Sequence, residues 1–130
     1  MRAFALIAAA LHVMVVALVA FPIAFFSYFP WENQTPEAAA TADLLLVAAP
    51  LMLVLATAFA VALFARRVPF GVALTLLATE YAVDAGVLVY ALGVSVHSDG
   101  KLLLAALAVA APGAVAVIAM RRTRALVARR

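Results

Sequence analysis

Two acids four residues apart, Glu80 and Asp84, stand inside the apolar run from Val72 to Val94. On a helix that spacing puts both carboxyls on one face, a turn apart. An ionised acid at the centre of a bilayer costs ~2.5–3.5 kcal/mol on insertion scales, against ~0.3–0.6 kcal/mol gained per Leu, Ile, Val or Phe. The pair therefore consumes most of what the surrounding aliphatic residues supply, and its face is expected to look onto protein or water. Two carboxyls this close titrate as a coupled unit. The chemistry they offer is proton or cation binding, or a hydrogen bond to another helix.

His12 is the natural partner. It falls at a similar depth in the apolar run Ala3 to Ala24, on a face with Ala5, Ala8, Ala9, Val16 and Val19. Such a histidine can be a hydrogen-bonded structural group, a proton carrier or a metal ligand. Metal binding is disfavoured, because one histidine and two acids fall short of the usual ligand sets and no histidine pair at i, i+4 exists. His12 is expected to meet Glu80 or Asp84 across the first and third helices. Thr57, Thr79 and Tyr81 are candidates for polar support, although Thr75 and Thr79 are expected chiefly to bond back to their own helix. Away from the acids, Thr75, Thr79, Ala82, Gly86 and Gly93 form a stripe of small residues, with Gly86 and Gly93 as helix-packing candidates. His97 falls in a loop and is expected to be solvated.

Four apolar runs position these groups. The first is long enough to cross a hydrocarbon layer of ~30 Å. It exceeds the apolar core of a cleaved signal peptide and lacks an Ala-x-Ala site after it, so it is expected to be retained. Pro22 should kink or end it. The aromatic cluster Phe25-Phe26-Ser27-Tyr28-Phe29-Pro30-Trp31 then reads as an interfacial belt. Thr35-Pro36-Glu37 is a helix start: a capping hydroxyl, proline at the first helical position and an acid in the first turn. Arg66-Arg67 closes the second run, and Pro69 opens the third after a tight turn. Ser98-Asp99-Gly100 supplies the next turn, and the fourth run, Leu102 to Met120, is interrupted by Pro112-Gly113. The expected helices are about 3–25, 36–65, 69–94 and 101–121, followed by a basic tail over 121–130.

Composition and charge fix the setting. Of 130 residues, 70% are hydrophobic and 12% charged, and there is no cysteine. That excludes a water-soluble domain, disulfides and thiolate chemistry. Eight of the nine basic residues (Arg2, Arg66, Arg67 and the five arginines from Arg121 to Arg130) fall on one side if four helices alternate. Glu32, Glu37, Asp43 and Asp99 fall on the other, with Lys101. By the positive-inside rule both termini are expected in the cytoplasm. The net charge of +3 thus reflects topology rather than nucleic-acid binding, and the basic tail is expected to meet anionic lipid headgroups. The excess of arginine over lysine and the weight of alanine and valine suit a GC-rich bacterial genome, hence a bacterial cytoplasmic membrane.

The expectation is therefore an all-α integral membrane protein: one domain, four transmembrane helices in an up-down bundle, N-in and C-in. In size and topology it resembles the small multidrug-resistance transporters. That family carries its essential glutamate in the first helix, where this chain has His12, so no site residue carries over. Enzymatic function is not expected: there is no serine–histidine arrangement, no intramembrane aspartyl or paired-glutamate protease pattern, and no cofactor motif. Two functions remain. One is an accessory or structural subunit, in a homo-oligomer or larger complex, whose acids make helix or partner contacts. The other is a small proton- or cation-coupled transporter or channel with Glu80 and Asp84 as coupling site.

Overall fold

The computed structural model describes residues 2–29, 35–93 and 99–128. They form four helices: α1 (Arg2–Tyr28), α2 (Pro36–Phe64), α3 (Phe70–Gly93) and α4 (Asp99–Ala128). All four are long and apolar enough to cross a membrane. The all-helical reading holds. Trp31, Glu32 and His97 lie outside the described residues, so the belt is seen only as far as Phe29.

Local sequence sets the helix ends. Thr35 caps α2 from an extended backbone (φ −69°, ψ 156°), its Oγ1 accepting from the Ala38 N–H at 3.2 Å, with Pro36 in the first turn and Glu37 beside it. The cap satisfies one of the amides that a helix N-terminus leaves open. At the other end Ala65 turns extended (φ −67°, ψ 118°) while its N–H still reaches the Val61 carbonyl at 2.9 Å. Val68 N–H then bonds the Ala65 carbonyl at 3.3 Å, and Val72 N–H bonds Pro69 at 3.0 Å to begin α3. Arg66 and Arg67 stand exposed in this hairpin.

Two expectations about helix ends are corrected. Pro22 does not end α1, which continues to Tyr28. In apolar surroundings the remaining backbone bonds have no competitor, and neighbouring helices hold the segment through a proline. The basic segment is likewise no separate tail, because α4 runs on to Ala128. After Gly113 the chain has neither glycine nor proline, and alanine, arginine and leucine are strong helix formers, so no stop signal intervenes.

The packing is that of an up-down bundle. α1 packs against α2 and α4, α2 against α3, and α3 against α4 along the loosest seam. On α1 the inward face is Ala5, Ala8, Ala9, His12, Val16 and Ala20, while Leu6, Ile7, Leu11, Leu18 and Phe21 point outward. Small residues inside and large apolar ones outside are what close helix approach in lipid requires. Two buried clusters result. One joins Ala5, Ala8 and Ala9 to Phe59, Leu63, Ala73, Leu77, Ala116 and Met120. The other joins Val16, Leu45, Met52, Ala56, Val87 and Val109.

Candidate functional site

Between the two apolar clusters lies a thin polar layer. Among the described residues the buried polar or charged side chains are His12, Glu80 and Asp84. Their positions follow from helical periodicity. On α3 the residues Ala73, Leu77, Glu80, Asp84 and Val87 recur at three or four and are buried together, as the acidic-face reading requires. On α1, His12 continues the line from Ala8 to Val16.

His12 joins three helices. Its Nε2 lies 3.0 Å from Glu80 Oε2 with hydrogen-bond geometry, and 2.8 Å from Oε1, which has no hydrogen bond of its own. Its Nδ1 lies 3.2 Å from the Val109 carbonyl on α4. A carbonyl only accepts, so Nδ1 carries a proton and donates it there. One further proton then lies between Nε2 and the Glu80 carboxyl. Either Nε2–H donates to a carboxylate, or the carboxylic acid donates to Nε2. The two arrangements contain the same atoms and proton count, so the bond survives a shift of that proton. Phe59 on α2 sets its ring edge-on to the imidazole, centroids 5.6 Å apart at 90°, and so holds the ring plane.

Tyr81, beside Glu80 on α3, donates its hydroxyl to the Ala110 carbonyl and lies edge-on to His12 at 6.2 Å. Both α4 carbonyls in use, of Val109 and Ala110, stand one turn or less before Pro112. A carbonyl has two lone pairs, so each can accept from a side chain in addition to its helical amide. Gly113 completes the arrangement. A Cβ there would meet Tyr81 Oη at 2.7 Å, Leu77 Cδ1 at 3.0 Å and His12 Cε1 at 3.1 Å. The missing side chain is what lets the layer close on α4.

Asp84 is the exception. It is buried, and among the described residues neither carboxyl oxygen has a hydrogen-bond partner. Of the expected supporters, Tyr81 joins the layer, but Thr57 and Thr79 do not. Both are exposed and bond back one turn, to Leu53 O at 2.7 Å and Thr75 O at 2.9 Å. In an apolar surrounding the nearest carbonyl is on the residue's own helix, and both lie off the inward faces. Gly86 also departs from expectation within the chain: it is exposed, with open space where a Cβ would stand. Thr75, Thr79, Ala82 and Gly86 are all exposed and face away from the bundle. Gly93 is the last residue of α3. No group of three or more metal-ligating side chains assembles among the described residues.

No family model, curated protein or solved structure matches this chain. Its chemistry has to be read from the polar layer itself. Sequence reasoning found His12, Glu80, Asp84 and Tyr81 and missed Gly113 and Phe59. The Pro112-Gly113 pair at mid-depth was a usable signal for the first. Nothing in the sequence distinguishes Phe59 from other membrane phenylalanines.

Proposed function

We propose that this protein is a small accessory or structural subunit of a membrane assembly, and that its intramembrane polar layer serves to hold helices together. The supporting observation is the His12–Glu80 contact, made inside the chain and closed off by apolar clusters on both sides. A carboxyl used in this way compensates its insertion cost without any transported ion. The basic side chains that meet at one end of the bundle, Arg2, Arg66 and Arg124 among them, favour that end as the cytoplasmic one, in a bacterial cytoplasmic membrane. Four helices enclose little volume, so the working unit is a homo-oligomer or a larger complex.

One observation favours a second reading. Asp84 offers two buried, unpartnered oxygens one turn from a carboxyl that shares a proton with a histidine. That is coupling chemistry for a proton- or cation-driven transporter or channel. Proton and cation flux into liposomes distinguishes the two readings. The accessory reading expects no flux from wild type above empty vesicles, together with co-purification in a larger complex. Flux that Glu80→Gln or Asp84→Asn abolishes would overturn it in favour of the second reading.

A further inference from the structure

We propose that the basic end of the bundle carries a binding cleft for the phosphate headgroup of an anionic phospholipid. A cleft of about 380 Å³ opens there between three chain segments. Arg2 of α1, Arg66 of the α2–α3 hairpin and Arg124 of α4 line it, beside apolar walls that include Phe64 and Val127. Three cations brought to one cleft from three segments repel one another unless an anion sits among them. Among the described residues no acidic side chain lines the cleft. The Arg124 guanidinium lies 5.0 Å from the centroid of the Phe70 ring, which restrains its direction. Thr123 also lines the cleft, but its hydroxyl is bonded to Ala119 O at 2.9 Å, so recognition falls to the arginines.

Planar guanidinium forks match phosphate oxygens, and basic clefts between helix ends suit lipid headgroups. A soluble phosphate compound shares that chemistry. The apolar walls distinguish the two, because Phe64 and the exposed Val127 suit the glycerol and acyl portion of a lipid and offer a free ion nothing. The inference rests on membrane embedding alone and does not depend on the role of the His12–Glu80 layer.

The test is native mass spectrometry of the purified chain in detergent with equimolar dioleoyl phosphatidylglycerol and dioleoyl phosphatidylcholine. Wild type is expected to retain phosphatidylglycerol preferentially. The variant Arg2→Gln/Arg66→Gln/Arg124→Gln is expected to lose that retention by roughly ten-fold or more. The charge-matched control Arg67→Gln/Arg121→Gln/Arg122→Gln, outside the cleft, is expected to keep it. Circular dichroism checks that both remain helical, and Arg124→Gln alone carries the same test with a smaller loss if the triple variant does not fold. Equal loss in the variant and its control, or equal retention of the two lipids by wild type, would overturn the cleft. Displacement of phosphatidylglycerol by millimolar inorganic phosphate or glycerol phosphate would overturn the lipid assignment.

Discussion

His12 Nε2 on α1 stands 3.0 Å from Glu80 Oε2 on α3, while the same ring's Nδ1 stands 3.2 Å from the Val109 carbonyl on α4. The second contact gives the first its character. With Nδ1 committed as a donor, Nε2 and the carboxyl hold one proton between them whichever atom it sits on. A histidine fixed at both nitrogens and braced by Phe59 is a three-helix joint. Its energetic weight comes less from the bond itself, since interhelical hydrogen bonds in membranes average only ~0.6 kcal/mol and reach ~1.7. It comes from the cost of leaving either partner alone, which for a buried pair is ~3–5 kcal/mol.

Gly113→Ala is expected to destabilise the bundle by ~1–3 kcal/mol, because the new Cβ collides with Tyr81, Leu77 and His12, of which the imidazole is held on both sides. Gly86→Ala, on the open face, is expected to be neutral or to stabilise by up to ~1 kcal/mol through helix propensity. Thermal unfolding of both variants in one detergent checks the contrast. A neutral Gly113→Ala would mean that the layer does not close on α4 as described.

Asp84→Val is expected to raise the insertion of isolated α3 by ~3 kcal/mol, since it removes an acid from mid-helix. In the whole protein it should leave the bundle intact, because no partner is lost. Membrane integration of α3 in a reporter fusion measures the first, and detergent stability the second. A strongly destabilised Asp84→Val would reveal a partner for this carboxyl.

The cysteine-free sequence makes topology directly testable. Single cysteines at Arg67 and at Thr41 are expected to react with a membrane-impermeant thiol reagent from opposite sides, with Arg67 protected in intact cells. Labelling of both from one side would contradict the up-down crossing.

Periodicity and charge placement made much of this architecture legible. Four apolar runs, the Thr35-Pro36-Glu37 start and the Arg66-to-Pro69 hairpin all lie in local sequence and recur in the structure. So does the inward face of α3, because acids in lipid have one tolerable direction. The partner choice was half legible. Depth alone put His12 level with both acids, and only the rotation of α1 against α3 selects Glu80. Thr57 was misread for a related reason, while Thr79 makes the back-bond that was also expected of it: a hydroxyl in an apolar helix satisfies itself one turn back, so its presence says nothing of a site. Gly86 was read from its size as a packing residue, toward a neighbouring helix or a second chain, and within this chain it faces open space.

The central claim is that His12 and Glu80 act as one structural unit. A double-mutant cycle on unfolding free energy in detergent tests it most directly, using wild type, His12→Ala, Glu80→Gln and the double variant. His12→Ala strands a buried acid, whereas Glu80→Gln leaves an amide that can still donate to Nε2. The double variant is therefore predicted to be more stable than His12→Ala alone, with a coupling energy of ~1–3 kcal/mol. Losses that simply add would contradict it.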